Sequence, residues 1–268
     1  MQIATWNVNS LKVRLPQVLN WLQANPVDVL ALQETKLIDE KFPLAALEEA
    51  GYAAAFSGQP TYNGVAILTR RETVGSPEAV VTGNPIFPDE QKRLISASIA
   101  GLRVVCAYFP NGQAVDSDKY AYKLRWIDAL IEWLAPQFSV AAHNPAAAGF
   151  VLLGDFNIAP ADEDVHDPAA WAGQVLCSEA ERERFRALIA AGLVDSFRCF
   201  EQPPRIFSWW DYRQLGFRRN AGLRIDHILV DTKTAAGLSS CRVDREPRKL
   251  EQPSDHAPVV VDLALNAP

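Results

Sequence analysis

Basic charge, cysteine and long apolar runs are all scarce in this 268-residue chain, and each scarcity excludes a class of protein. Lysine and arginine total 26 against 32 aspartates and glutamates, a formal net charge of −6. That balance argues against a protein that coats nucleic acid through a uniformly basic surface. The four cysteines, Cys106, Cys177, Cys199 and Cys241, lie far apart with no C-x-x-C pair. They suggest neither a zinc site nor a disulfide framework, and reduced, structural thiols are expected. No run reaches the roughly eighteen apolar residues of a membrane span. The nearest, Phe138 to Val151, is broken by His143, Asn144 and Pro145. The N-terminus lacks a charged stretch followed by an apolar one and goes straight into the strand-like Met1-Gln2-Ile3-Ala4-Thr5-Trp6, so a cytoplasmic protein is expected. No repeat of fixed period is visible, although two sets of strands and helices could pack as similar halves.

What is present is apolar sequence in short pieces. Hydrophobic residues make up 49% of the chain, enough to bury a substantial core, and no boundary divides it, so one domain over residues 1–268 is expected. Val27 to Leu32, Gly64 to Thr69, Arg103 to Phe109, Phe150 to Leu153, Ile225 to Val230 and Val259 to Leu265 read as strands. Their near-continuous apolar character predicts burial on both faces. Ile127, Leu130, Ile131 and Leu134 fall at helical spacing, as do Phe185, Leu188 and Ile189. Strands interleaved with helices make a layered α/β architecture. The Ala-rich stretch from Ala141 to Gly149 reads as a loop.

Polar clusters follow or precede these strands, where side chains leaving a sheet can converge. They are Asn7 and Asn9; Gln33-Glu34-Thr35-Lys36; Gly154-Asp155-Phe156-Asn157; Ser254-Asp255-His256-Ala257-Pro258; and Asp226-His227. Oxygen ligands of this kind suit a hard cation such as Mg²⁺, which takes only one or two carboxylates from a protein, here Glu34 with Asp255 or Asp155. His256 beside them supplies a group that titrates near neutral pH, or a donor to a phosphorane oxygen. Each cluster alone has an ordinary reading as a turn or helix cap. Five together, each carrying ligand or acid–base chemistry, favour the functional one.

In chain order, Trp6-Asn7, Leu32-Gln33-Glu34-Thr35-Lys36, Gly64-Val65-Ala66-Ile67, Ala107-Tyr108-Phe109-Pro110, Gly154-Asp155-Phe156-Asn157-Ile158, Gly222-Leu223-Arg224-Ile225-Asp226 and Ser254-Asp255-His256-Ala257-Pro258 resemble the exonuclease III family. That family sits within the endonuclease/exonuclease/phosphatase superfamily. The resemblance implies an α/β fold, a four-layer sandwich of two packed mixed β-sheets flanked by helices. It implies Mg²⁺, with Mn²⁺ as a possible substitute, near Asn7, Glu34, Asp155, Asn157, Asp255 and His256. Tyr108, Asp155, Asn157, Asp226 and His256 would carry the chemistry, with Asp226 holding His256 in one tautomer. Tyr108, Asp155 and His256 are all open as the proton carrier.

The resemblance further implies a monomeric DNA repair nuclease, active at the nucleoid, on duplex DNA with an abasic site or damaged 3′ end. Trp209, Leu223 and Ile225 would line a pocket for a sugar without its base, while Trp210 reads as a core aromatic. Asn9, Asn111, Arg93, Arg125 and Arg224 are the further substrate contacts expected. The segment Asp162 to Cys177 departs from strong abasic-site endonucleases, which carry an Asn/Gly/Lys-rich loop there. Abasic incision, 3′-to-5′ exonuclease and 3′-phosphatase activity therefore stay open. The competing readings are a superfamily phosphodiesterase or phosphatase acting on a lipid or small molecule, and an inactive DNA-binding module. The first lacks a membrane-binding segment in this chain, and the second would predict a missing ligand or a broken Asp–His pair.

Overall fold

The computed structural model describes residues 1–143 and 149–264. Twelve strands occur among them: β1 (Gln2–Asn7), β2 (Val29–Gln33), β3 (Tyr52–Ser57), β4 (Val65–Arg70), β5 (Glu78–Thr82), β6 (Leu94–Ile99), β7 (Leu102–Tyr108), β8 (Gly149–Asp155), β9 (Leu193–Asp195), β10 (Asp226–Asp231), β11 (Leu238–Val243) and β12 (Val259–Leu263). They form two six-stranded sheets, ordered β11-β12-β1-β2-β4-β3 and β5-β6-β7-β8-β10-β9. Each sheet is mixed around one parallel pair, β1 with β2 and β7 with β8.

The alternation of side chains along each strand builds the layers. One face of the first sheet, with Ile3, Val29, Ala31 and Ile67, packs against Val104, Cys106, Val151 and Ile228 of the second. The opposite face of the first sheet, with Ala4, Trp6, Leu30 and Leu32, is covered by Leu11, Val18 and Leu22 of the helix Leu11–Ala24. On the second sheet, Val105, Leu152 and Leu229 meet Ile127, Leu130 and Leu134 of the helix Asp118–His143 and Leu188 of the helix Glu179–Ala190. This is the expected four-layer α/β sandwich, and burial on both faces explains the continuous apolar runs. No helix among the described residues is long and apolar enough to cross a membrane.

The strands read from sequence all form, within two residues at their ends, except that Leu265, read as the end of the last one, lies outside the described residues. Those not anticipated have weak signals for physical reasons: β3 is rich in alanine, β5 is a largely exposed edge, β6 is interrupted by Ser96 and Ser98, β9 has three residues, and β11 carries Ser239, Ser240 and Arg242. The helix Leu11–Ala24 was hidden by Pro16 in its interior. In the stretch read as a loop, the helix runs on to His143 and β8 begins at Gly149, while residues 144–148 lie outside the described residues. Trp210 is fully buried against Phe217, as expected, and its indole donates to Asn220.

Register decides where the chemistry goes. Asn7 pairs with Gln33 at the end of one parallel pair, and Tyr108 with Asp155 at the end of the other. The antiparallel neighbour of β8 begins at the same edge, with Asp226 opposite Asp155. Gly154 permits this closeness: its φ is +145°, and a Cβ there would overlap the backbone carbonyl of Ala107 on β7. Gly154→Ala should therefore cost about 3 kcal/mol or more, read as a lower urea midpoint. An unchanged midpoint would mean that β7 and β8 part without cost.

Candidate active site at the common edge of the two sheets

The side chain of Asn7 sits at the centre of the site. Fully buried, it donates from Nδ2 to Glu34 Oε1 at 2.8 Å and to Asp155 Oδ2 at 2.9 Å. One amide thus joins a carboxylate of the first sheet to one of the second. Asp155 is held further by the Asn157 amide, which donates to Oδ1 at 2.9 Å, and by Asn157 Nδ2, at 3.2 Å from Oδ2. His256 Nδ1 lies 2.8 Å from Asp226 Oδ2, which leaves Nε2 facing Asp155 Oδ2 at 3.7 Å.

Several of these residues hold left-handed backbone, which costs a non-glycine residue of order 1–3 kcal/mol when poorly tolerated. Glu34 has φ +54°, Lys36 +56°, Asn9 +43° and Asn157 +50°. The strained exit from β2 is braced on both sides: Ser10 N donates to Glu34 O, Leu11 N to Thr35 O, and Lys36 N to Asn63 O. Lys36 also reaches Glu34 Oε2 at 2.8 Å and Asn9 Oδ1 at 2.6 Å. Sequence reading quoted Lys36 within a motif but gave it no role. Its neighbour Glu34, two residues away beyond a tight turn, is the only local signal.

Burial dominates the electrostatics. It raises Asp155 to about 7, with help from the negative charge of Asp226 and Glu34 and against His256 and the Asn7 hydrogen bond. Burial opposes charge on His256, but Asp226 and Asp155 outweigh it and lift the imidazole to about 10. Tyr108 is pushed well above the usual phenol range by burial and by Glu34 and Asp155. For Asp255, burial is outweighed by His256 and by hydrogen bonds from Trp209 and Asn9, which hold it below the usual carboxylate range.

Ligand atoms of Glu34, Asp155 and His256 all lie within 4.8 Å of one another. The two carboxylates at one point offer oxygen ligands that fit a hard divalent cation, while Asn7 turns its amide nitrogen toward them and its oxygen to the Asn9 amide. Asp255 belongs to a neighbouring position, accepting from Trp209 Nε1 at 3.0 Å and Asn9 Nδ2 at 2.9 Å.

The remaining expected residues divide. Asn111 donates to Asn157 Oδ1 at 3.1 Å, and Arg93 stacks 4.8 Å above the Tyr108 ring, so both adjoin the carboxylates. Trp209 forms bridges to Leu223 and His256, and buried Leu223 and Ile225 pack in one small cluster that Trp209 flanks. Beside it is a cleft of about 390 Å³ lined by His166, Trp171 and Trp209. Arg125 is exposed on the helix Asp118–His143.

Arg224 is different from what was expected. It is 1% exposed, with Nε at 2.6 Å from Asp164 and Nη2 at 2.9 Å from Asp195. Neutralising two buried carboxylates uses its charge inside the protein, so it is not available at a surface for phosphate. Arg248 is also buried, stacked on Trp210 and Phe217.

The structure thus defines a class: four-layer α/β proteins with acid–base and candidate metal-binding groups gathered on one sheet edge. Residues 4–256 match the model of the endonuclease/exonuclease/phosphatase family. Exodeoxyribonuclease III of Haemophilus influenzae is 35% identical over 97% of this chain and 98% of its own. A solved Neisseria 3′ phosphatase bound to a product DNA hairpin has TM-score 0.93 and 48% identity, covering 99% of this chain and 100% of that one. A solved AP endonuclease of Archaeoglobus fulgidus has TM-score 0.91 and 37% identity, with 99% and 100% coverage. The chain belongs to the endonuclease/exonuclease/phosphatase family, in its exonuclease III branch.

One buried group outside the cluster sets a pH limit. His227 Nδ1 faces Arg224 Nη1 at 3.0 Å and Nε2 faces Ile158 O at 2.9 Å. Nε2 must therefore carry the proton, and burial with the Arg224 charge depresses the imidazole well below its usual range. Below about pH 6.5 the unfolded chain binds a proton that the folded chain refuses, so this contribution is complete above that pH and lost as pH falls. His256, raised instead, works in the opposite sense, with its contribution lost as pH rises toward 10. The His227 effect is isolated by difference: the stability gap between the parent and His227→Gln should shrink by up to about 1.4 kcal/mol per unit below pH 6.5. Equal gaps in urea unfolding at neutral and acidic pH would contradict this.

Proposed function

We propose that this protein is a metal-dependent DNA repair nuclease, with Mg²⁺ as its cofactor and Mn²⁺ as a substitute, that acts foremost on damaged 3′ ends of duplex DNA. The observation that carries the reading is the Asn7-bridged pair Glu34 and Asp155 beside an imidazole held by Asp226. The chain would work as one catalytic unit, because these groups come from both sheets.

Glu34 and Asp155, oriented by the Asn7 amide, would hold the cation, which when bound supplies positive charge to a phosphoryl oxygen. Asp155 would also orient the attacking water and take its proton. His256 is better suited to donating than to ligation: charged through neutral pH, with Nδ1 fixed by Asp226, it presents Nε2–H to a phosphoryl oxygen. Tyr108 stays protonated, so its hydroxyl also donates. Asn157 and Asn111 offer neutral amides to the same phosphate.

The preference for 3′ ends rests on the pocket wall. His166 Nδ1 lies 3.2 Å from Gly222 O, and its ring meets Trp171, which meets Trp209. Three rings in file line the cleft beside Leu223 and Ile225 where a base-free sugar would enter. The 48% identity to a protein described as a 3′ phosphatase supports the same order. Abasic-site incision is the second reading, favoured by the 37% identity to an AP endonuclease.

The test uses a nicked duplex with a 3′-phosphate and a duplex with one abasic site, each with Mg²⁺ or EDTA. Phosphate release should be Mg²⁺-dependent and exceed abasic incision. No activity on either substrate, with Mg²⁺ or Mn²⁺, would sink the DNA reading. His256→Ala should lower kcat on the order of 10²–10³-fold with KM little changed. His166→Gly should raise abasic incision relative to phosphate release by roughly tenfold, and an unchanged ratio would remove His166 from the selection of substrate.

A further inference from the structure

Lys123 has no role in the chemistry above, yet no other lysine is placed like it. It lies in the helix Asp118–His143, is 0% exposed, and spends its three ammonium protons on three acceptors: Asn157 O at 2.7 Å, Asn111 O at 3.2 Å and Glu181 Oε1 at 2.5 Å. Two of these are backbone carbonyls in the turns that leave the parallel strands β7 and β8. Glu181, also 0% exposed, accepts in addition from Leu176 N, Ser178 N and Ser178 Oγ. One buried charge pair therefore connects three separate loops.

A pair like this is a poor way to gain stability. Desolvating both ions offsets most of their attraction, and apolar residues of the same volume generally do as well or better. What apolar residues cannot do is fix two carbonyls in space. A tetrahedral ammonium with three donors and no acceptor matches three converging oxygens.

The consequence reaches the reacting groups through Asn157. Its backbone is left-handed, at φ +50°, and its N–H and side chain are donors to Asp155. Its side chain also donates to Phe109 O at 3.0 Å and accepts from Asn111 at 3.1 Å. Holding Asn157 O thus fixes the peptide whose neighbours aim Asp155. The loop after Asn111 closes directly onto the lysine stem: Gly112 has φ +91°, and a Cβ there would meet Lys123 Cδ at 3.1 Å.

We propose that Lys123, paired with Glu181, is a positioning residue that holds the Asn111 and Asn157 turns in register so that Asp155 and the two amides converge on one phosphate. This rests on the function proposed above for Asp155, Asn111 and Asn157.

The test compares Lys123→Met/Glu181→Gln, which removes both charges and keeps one oxygen acceptor for the Leu176 or the Ser178 amide, with Leu130→Ala on the same helix. Leu130 is buried in the helix–sheet core and contacts neither turn through hydrogen bonds. Both are assayed well below their own Tm. The paired variant should lose kcat on the order of 10²-fold with KM changed far less, while Leu130→Ala keeps kcat within about twofold. Native-state hydrogen exchange at the Asn157 amide, which needs no turnover, should accelerate in the paired variant and not in Leu130→Ala. If the paired variant does not fold, Lys123→Gln/Glu181→Gln is read in the same way. An unchanged kcat and Asn157 exchange rate, or equal losses in Leu130→Ala, would overturn the proposal. A parent protein inactive on both DNA substrates would instead overturn the functional reading, and the exchange measurement would still decide whether Lys123 holds the turn.

Discussion

Two carboxylates brought together at a largely buried sheet edge repel each other unless something between them carries partial positive charge, and here that is the amide of Asn7. Its two donors point to different sheets, so the same group that makes the acidic pair tolerable also pins the sheets at their shared edge. The sandwich fixes this distance from behind: Ile3 and Val29 on one side and Val104 and Val151 on the other set how closely β1 approaches β8. Changing that packing by the width of a methyl group would change the carboxylate spacing as well.

The charge inventory follows from the same constraint. A net charge of −6 counted over the chain resembles an acidic surface, yet Asp155, Asp164, Asp195, Glu181 and Asp226 are all buried. Their partners are buried too: Arg224 for two of them, Lys123 for a third, His256 for a fourth. Composition alone cannot separate charges used inside from charges facing a ligand, and Arg224 shows the error this causes.

The strands that were legible in the sequence carry continuous apolar runs because both faces are buried, whereas β6, nearly as buried, is interrupted by Ser96 and Ser98. Edges such as β5 and short strands such as β9 face water or few neighbours and leave little pattern. The residues of the site were legible because ligand chemistry restricts residue type, as at Glu34, Asp155 and His256. Lys36 and Lys123 were not, because a lysine's environment is set by residues distant in sequence: Asn9 for one, Glu181 and Asn157 for the other. Apart from Glu34 two residues before Lys36, nothing local distinguishes either from a solvated surface lysine.

The outermost stretches of the chain meet in the middle of the first sheet. β1 pairs with β12, Ser254 donates to Asn7 O, and the Trp6 indole donates to His256 O across 250 positions. A ribosome has therefore released Glu34, Asp155 and Asn157 long before the imidazole they work beside, and β1 waits with one edge unpaired until the final strand arrives. A chain cut short by a stalled ribosome or a protease holds most of the acidic residues but no assembled centre. In a nuclease, cutting ability would then appear only once β12 and His256 have joined the strands made before them.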